Sequence, residues 1–127
     1  MESPPNHPPV DLAAACARLD EPWSPRVVAA MNDDRFKVAR LEGAFVEHAH
    51  PDTDEAFLVI DGRLTIELEG RAAVELGPGQ LYVVPRGVRH RPVAHGTCHV
   101  LLVEPAGVVN TGDAEDQGKR APVDDWL

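Results

Sequence analysis

The feature that most limits the possible folds of this chain is a succession of short strand-like segments separated by turn residues. From about Pro25 onward, apolar runs are interrupted by Asp61-Gly62, Glu69-Gly70 and Gly77-Pro78-Gly79. Such turn residues favour chain reversals, and Asp-Gly between alternating segments is typical of a type I′ hairpin. The pattern predicts roughly eight or nine strands and an all-β fold, either a β-barrel or a double-sheet jelly roll. The predicted strands include residues 27–31, 35–41, 43–48, 55–60, 63–68, 73–76, 81–84 and 98–103.

Outside this barrel the chain divides into three parts. Residues 1–9 contain four prolines and predict a disordered tail. Within residues 10–24, the segment 10–19 carries one apolar stripe and is followed by Pro22, which predicts a short N-terminal helix and then an arm. The barrel is expected at residues 25–105. Residues 106–127 form an acidic tail, in which Trp126 either anchors the tail or frays with it.

The charge balance restricts the partners of the protein. Its 127 residues contain 12 lysines and arginines against 21 aspartates and glutamates, a net charge of −9. A surface of this sign repels phosphate backbones and anionic lipids, so we expect neither nucleic acid nor a membrane as partner. No apolar run approaches the ~20 residues of a membrane-spanning helix, and the first residues lack the features of a signal peptide. Cys16 and Cys98 predict no disulfide framework, and we expect a cytoplasmic protein.

Two of the predicted strands are apolar on both faces. They lie at residues 56–60 and 100–103, where no alternation with polar residues is visible. One face of each strand would fill the barrel, and the other must be covered by the N-terminal helix, by residues 22–31 or by a second subunit. We therefore expect a homodimer.

Three histidines and one glutamate have a spacing that could bring them to a single metal ion. His48 and His50 are two apart, so both side chains can project from the same face of a strand, and Glu55 opens the next apolar run. His90 follows a Pro85-x-Gly87 corner, which can direct it from another part of the sheet. This donor set suits Fe(II), Mn(II), Ni(II), Co(II) or Zn(II). Four protein ligands on an octahedral ion leave two positions for water, O2 or a substrate.

The two motifs that carry these residues resemble the signature motifs of the cupin superfamily. They read Gly43-x4-His48-x-His50-x4-Glu55-x6-Gly62 and Gly79-x5-Pro85-x-Gly87-x2-His90, and residues 25–105 as a whole are similar to the cupin barrel. Gly43 lies one residue closer to the first histidine than in most members, and Ala94 stands where many have asparagine.

The resemblance implies a cupin-type double-stranded β-helix in which the four residues His48, His50, Glu55 and His90 are metal ligands. It also implies that Gly62, Gly79, Pro85 and Gly87 shape the turns that present them. The local sequence around both motifs resembles that of small single-domain bacterial cupins, which often carry the label mannose-6-phosphate-isomerase-like.

Three further residues are candidates for the pocket. Phe57 lies two residues after Glu55 and should form a wall of the metal pocket. Tyr82 could hydrogen-bond a substrate or donate a proton, or it could be an ordinary barrel aromatic. Arg40 shares the parity of Phe36 and Val38, so its guanidinium could bind an anionic group in the pocket, unless the side chain is solvated at the end of its strand.

These observations leave more than one function open. The first hypothesis is a metal-dependent enzyme that acts on a small polar metabolite, with oxygenation and sugar isomerisation or epimerisation as the reaction types. The second is a module that uses its metal to bind a small molecule or carbohydrate without turnover. The third is a structural barrel without metal, which is disfavoured because all four ligand positions carry competent side chains. Cupin folds host many activities, so the fold alone does not decide among them.

Overall fold

The computed structural model describes residues 8–115 and 118–127 and contains one short helix and six strands in these ranges. The predicted tail at residues 1–9 lies mostly outside the described residues. The helix and strands are α1 (Leu12–Cys16), β1 (Arg26–Met31), β2 (Asp34–Ala44), β3 (Glu55–Leu68), β4 (Val74–Leu76), β5 (Leu81–Val84) and β6 (His90–Pro105).

All described strands belong to one antiparallel sheet, so the all-β prediction is confirmed. The strand order is β1-β2-β6-β3-β4, and β5 pairs with the first half of β3. The long strands β2, β3 and β6 form the centre of this order, and register shifts interrupt their pairing after Glu42 and on both sides of Asp61. Bulges of this kind bend strands, which lets a single sheet curl around one core. The apolar core lies inside the curl, with Val59, Leu64 and Ile66 almost fully buried.

The hairpin predicted at Asp61-Gly62 is wrong, because β3 continues through both residues. Gly62 has a φ of +84°, the left-handed value that also suits a hairpin turn. Here it forms part of a bulge opposite β6, where a Cβ on Gly62 would lie 2.6 Å from the carbonyl oxygen of Thr97. The glycine thus permits a close approach between two bent strands. The strands predicted at residues 55–60 and 63–68 are therefore one strand, β3. This partly explains why the described residues contain six strands and not the eight or nine predicted.

The N-terminal helix is shorter than the predicted residues 10–19. It begins after Asp11, whose side chain accepts a hydrogen bond from the Ala14 amide at 3.1 Å, and it ends at Cys16. Cys16 and Leu19 nevertheless pack with Val38 of β2, so the segment covers part of the outer face of the sheet. Cys16 and Cys98 are buried free thiols, as expected. Burial, and then the charge of Asp61, raises the pKa of each thiol to about 11, which keeps both protonated.

The end of the acidic tail is docked against the barrel. Asp125 and Leu127 exchange backbone hydrogen bonds of 2.8 and 3.0 Å with Val27 of β1, and Trp126 forms a parallel bridge to the same residue. Trp126 therefore lies at an anchored end of the chain. Within the described ranges, the model contains no helix with the length and hydropathy needed to cross a membrane.

Candidate metal centre

Two backbone hydrogen bonds bring the two histidine-bearing segments together. His48 follows the end of β2, and His90 is the first residue of β6. The His48 amide donates to the His90 carbonyl at 3.0 Å, and the His90 amide donates to the His48 carbonyl at 2.8 Å. This reciprocal pair is an isolated antiparallel bridge. It places the two side chains on one side of the paired backbones, with ring centroids 4.3 Å apart.

The corner before His90 is built by a turn over residues 85–88. The Val88 amide donates to the Pro85 carbonyl at 3.2 Å, and Gly87 has a φ of +77°, which glycine adopts without a steric penalty. The Gly87 amide then donates to the His50 carbonyl at 2.9 Å. The turn is therefore bonded directly to the segment that carries His50. Of the turn residues that the resemblance implied, Pro85 and Gly87 have this role in the structure.

The structure brings His48, His50, Glu55 and His90 together as one buried cluster. One potential ligand atom from each of them lies within 4.8 Å of all the others. The Oε1 atom of Glu55 is 3.5 Å from Nε2 of His50 and 3.5 Å from Nε2 of His90. Atoms at these separations can surround a single ion at metal–nitrogen and metal–oxygen distances of roughly 2.0–2.2 Å.

The hydrogen bonds of His48 and His90 leave the Nε2 atom of each imidazole available to a metal. Nδ1 of His48 lies 2.9 Å from the Val46 carbonyl, and Nδ1 of His90 lies 2.9 Å from the Val88 carbonyl. A carbonyl oxygen only accepts, so each Nδ1 carries the proton and each Nε2 lone pair is available to a metal. Among residues 8–115 and 118–127, the buried atoms His50 Nε2, Glu55 Oε1 and His90 Nε2 have no hydrogen-bond partner. A divalent ion would satisfy these three atoms, so the residues present fit a metal.

The electrostatic environment favours the ligand forms of His48 and Glu55. Burial, followed by the nearby His90, lowers the pKa of His48 to about 4, so this imidazole is neutral at physiological pH. Burial alone would raise the pKa of Glu55. The adjacent side chains of His50, His90 and Glu104 outweigh burial and hold the pKa of Glu55 well below its usual range. A neutral imidazole and an ionised carboxylate are the forms that bind a metal.

The segment that follows β6 is hydrogen-bonded to the segment that carries His48. The Ala49 amide donates to Oδ1 of Asp113 at 2.8 Å, and the Asp113 amide donates back to the Ala49 carbonyl at 3.0 Å. Between them, Gly112 lies so close that a Cβ would overlap the Ala49 carbonyl and reach 3.0 Å from the His48 ring. The C-terminal segment thus contributes directly to the position of His48.

A cavity lies beside the cluster and is walled mainly by apolar side chains. It encloses about 390 Å³ of empty space, a figure that includes the solvent space at its open mouth. Phe57 is part of the wall, as expected, with its ring in edge contact with His90 at a centroid distance of 6.3 Å. The lining residues are Trp23, Pro25, Ala39, Leu41, Phe45, His48, Glu55, Phe57, Pro92, Leu102, Glu104 and Asn110.

Arg40 and Tyr82 do not line this cavity. Arg40 points away from the barrel interior, because Ala39 and Leu41 are the buried core residues of that part of β2. Its guanidinium is one-third exposed and pairs with Glu42 at 2.6 Å. The face of β2 that carries Val38 and Arg40 is therefore the outward face, and not the inward face that the sequence predicted. On this outward face the segment of α1 covers Val38. Tyr82 is partly buried and packs against the core beside Phe57.

Among the cavity residues that were not predicted from the sequence, Glu104 and Trp23 stand out. Glu104 is only 3% exposed, and its carboxylate pairs with the buried Lys37 at 2.7 Å. Burial and the adjacent Glu55 raise the pKa of Glu104 well above its usual value. Its alternation with Val100 and Leu102 could have indicated an inward side chain. Trp23 comes from the N-terminal arm, and no sequence pattern connects it to the cavity.

The low pKa of His48 predicts a specific loss of stability in acid for the metal-free protein. Because its pKa falls from 6.5 to about 4 on folding, the unfolded chain binds the extra proton first. The stabilisation is therefore complete above pH 6.5 and decreases as the pH falls towards 4, by about 3 kcal/mol in the limit. We expect chelator-treated wild type to lose stability in this range relative to His48→Gln, measured by urea unfolding.

The comparison of wild type with His48→Gln separates the effect of His48 on the free energy of unfolding from that of Glu104. The contribution of Glu104 changes with pH in the opposite direction. A raised carboxyl pKa stabilises the protein at low pH, and that contribution is lost as the pH rises above 4.5 in both proteins. Parallel stability curves for wild type and His48→Gln between pH 4 and 6.5 would contradict the assignment of His48 as a buried neutral imidazole.

Comparison with known proteins relates the barrel to one family. Residues 36–104 match the cupin domain model. The structure of a cupin-2 domain containing protein from Shewanella frigidimarina NCIMB 400 superposes with a TM-score of 0.73 and 41% identity, over 76% of this chain and 93% of that chain. YdbB of Bacillus subtilis (strain 168), itself described as uncharacterized, is 28% identical over 94 residues, which cover 74% of this chain and 83% of YdbB.

A more distant structure belongs to an enzyme with a bound metal. Hydroquinone 1,2-dioxygenase PnpCD, solved with Cd2+ and 4-hydroxybenzonitrile, has a TM-score of 0.63 and 21% identity, over 76% of this chain and 72% of that chain. At this identity the similarity concerns the fold alone. The domain model spans more than half of the sequence, and the Shewanella protein shares 41% of its aligned residues. This chain therefore belongs to the cupin domain family.

Proposed function

We propose that this protein is a metal-dependent cupin enzyme that uses O2 to oxidise a small molecule with a mostly apolar body. The observation that carries the proposal is the position of the buried cluster of three histidines and one glutamate at an apolar cavity. His48 and Glu55 belong to both the cluster and the cavity wall, so a molecule in the cavity would lie next to the ion.

The residues of the site would have distinct roles. His48, His50, Glu55 and His90 would hold a divalent transition metal, with Fe, Mn, Ni, Co and Zn all compatible with the donors. When bound, such an ion supplies a Lewis acid for a substrate oxygen and, as Fe(II), activates O2. The apolar wall around the cluster would exclude bulk water and strengthen electrostatic interactions within the site.

The character of the cavity favours oxidation over sugar isomerisation. A sugar phosphate presents several hydroxyl groups and a dianion, each of which needs a polar partner once it is buried. Eight of the twelve lining residues are apolar, and none is a lysine or arginine. The resemblance to cupins labelled mannose-6-phosphate-isomerase-like would imply sugar chemistry, but this lining offers such a substrate little support.

Binding without turnover is the alternative, and one side chain bears on it. An enzyme needs an inward acid or base besides the metal ligands, and Glu104 provides a carboxylate at the cavity wall. Its pairing with Lys37 at 2.7 Å also fits a purely structural role, so Glu104 supports catalysis without excluding the binding module.

Oxygen uptake tests the proposed reaction. We expect Fe(II)-loaded protein to consume O2 with at least one member of a panel of small cyclic and aromatic metabolites, measured with an oxygen electrode. Glu55→Gln should reduce the rate at least about 100-fold because it removes the only charged ligand. His95→Gln is the matched control, since His95 is exposed and contacts Thr65 on the surface.

The outcome separates the candidate functions. Uptake that survives Glu55→Gln, or turnover of sugar phosphates without O2 uptake, would contradict the proposal. Ligand binding that depends on metal but gives no turnover with any substrate or sugar would support the binding module.

We also propose that two copies of the chain associate through the outer face of β5. In the described part of the chain β5 pairs only with β3, and its Leu81 and Val83 are 61% and 46% exposed. The neighbouring outward residue Leu58 extends this apolar surface, and the next, Leu101, already packs against the cluster under α1. Each chain carries a charge of −9, so contact between copies is least opposed at such an uncharged patch.

Charge introduced at this patch tests the homodimer. We expect wild type to sediment as a dimer and Leu81→Lys/Val83→Lys as a monomer in analytical ultracentrifugation, with metal content unchanged. A monomeric wild type, or a double variant that stays dimeric, would contradict the proposed interface. A cytoplasmic location is likewise a proposal, supported by the two buried free thiols.

A further inference from the structure

We infer that the N-terminal arm, residues 17–25 between α1 and β1, is a gate over the candidate metal centre, and that Trp23 moves aside when a substrate enters. This inference rests on the proposed function, because it concerns access to the site at which the substrate would react. Three observations carry it. The free space beside the cluster is too small for a substrate, the arm forms the part of the wall that faces solvent, and Trp23 is strained.

The space between the cluster and the arm is nearly filled. It has room for only about one or two water molecules. The figure of about 390 Å³ also counts gaps that are narrower than a water molecule and the solvent space at the mouth. An organic substrate is larger than one or two waters, so it cannot enter while the walls stay in place. The structure is therefore a closed state of the site, and one wall has to move.

The wall that moves at least cost is the arm. Nine of the twelve lining residues are buried, and seven of these nine lie on the paired strands β2, β3 and β6. The other three, Trp23, Pro25 and Asn110, are partly exposed and separate the cavity from solvent. Moving a strand would break the hydrogen bonds of the sheet. The arm is joined to β2 by an isolated bridge between Pro22 and Arg40 and can be displaced without that loss.

Trp23 is held over the cavity in a strained backbone conformation. Its φ is +61°, in the left-handed region that a bulky residue rarely adopts. Its amide donates to the Arg40 carbonyl at 2.8 Å, and its indole N–H donates to the Glu42 carbonyl at 3.0 Å. Phe45 stacks on its ring with centroids 4.5 Å apart. The strain is relieved when Trp23 leaves, so it offsets part of the cost of breaking these contacts. Strain held in this way is typical of switch regions.

One side chain, Asn110, ties the arm to the C-terminal segment. Its Nδ2 atom donates to the Trp23 carbonyl at 3.1 Å and to the Lys119 carbonyl at 2.9 Å. Its Oδ1 atom accepts from the Ala121 amide at 2.9 Å. These three partners all lie outside the strands, so loss of the Asn110 side chain loosens the arm and leaves the strand pairing in place. Asn110 is thus the latch of the gate.

Hydrogen exchange of the Trp23 indole in metal-free wild type tests whether the gate opens. The chain has two tryptophans, and Trp126→Phe assigns their indole signals in 15N-labelled protein. Relative to intrinsic rates, we expect the Trp23 indole proton to exchange at least about 100-fold faster than the amide of the buried Val59, which is bonded to Gln80. Low urea should not change the rate, because a local opening exposes little surface. Equal protection of both protons, with the same urea dependence, would overturn the inference.

Chemical modification of His48 tests whether the opening admits a small molecule. Diethyl pyrocarbonate acylates neutral imidazoles, and His48 in the metal-free chain has one ring nitrogen that its backbone hydrogen bond leaves available. We expect Asn110→Ala to raise the rate at His48 at least about tenfold and to leave the rate at the exposed His95 unchanged, measured by peptide mass spectrometry. Gln80→Ala is the matched control. It removes a comparable bond to the Gly77 amide, of 2.7 Å, between β4 and β5 and should not change the rate at His48.

The outcomes keep the gate and the proposed function apart. An unchanged rate at His48 in Asn110→Ala, or an equal rise in Asn110→Ala and Gln80→Ala, would overturn the gate. If Asn110→Ala does not fold, the exchange measurement on wild type decides by itself. Both measurements use the full-length chain without metal or turnover, so a negative result leaves the metal centre and the proposed reaction in place. Failure of the proposed function would appear instead as protein that binds no metal, or as Fe(II)-loaded protein that consumes no O2.

Discussion

The reciprocal backbone hydrogen bonds between His48 and His90 are the interaction on which the candidate centre depends. They join the segment that follows β2 to the first residue of β6 at N–O distances of 3.0 and 2.8 Å. Because the bonds are made by the backbone, the two imidazoles are brought together by strand pairing and not by contacts between the side chains themselves. The same arrangement positions His50 and Glu55. The Gly87 amide donates to the His50 carbonyl, and Glu55 begins the neighbouring strand β3.

Buried charge gives the C-terminal segment a structural role. Lys37 is 2% exposed and pairs with Glu104 at 2.7 Å and with Asp124 at 3.0 Å. Unpaired charges at such burial would be strongly destabilising, so the barrel depends on the carboxylate that the tail supplies. Asp113 supports the site differently: its side chain accepts a hydrogen bond from the Ala49 amide, next to His48. The acidic residues after β6 are thus part of the structure that holds the site.

Local patterns in the sequence predicted much of the centre, and long-range contacts account for the rest. The close spacing of His48 and His50 correctly predicted that they share one cluster, but the strand predicted at residues 43–48 was wrong, because β2 ends at Ala44 and His48 forms only an isolated bridge. The Pro85-x-Gly87 corner was a sound local signal. The turn at Asp61-Gly62 was wrong because a bulge and a hairpin both use a glycine at positive φ, and only the approach of β6 distinguishes them. The parity at Arg40 was misleading because both faces of β2 are buried there, one of them under α1. Trp23 reaches the cavity through contacts that no periodicity encodes.

The central claim is that one cation is held by the cluster His48, His50, Glu55 and His90, and X-ray absorption spectroscopy tests it most directly. The measurement requires protein purified without a histidine tag, with elemental analysis of the same sample. The account predicts about one divalent transition metal per chain, surrounded by three imidazoles and carboxylate oxygen at roughly 2.0–2.2 Å. Protein with no metal above trace, or a spectrum unchanged in His50→Ala and Glu55→Gln, would contradict it.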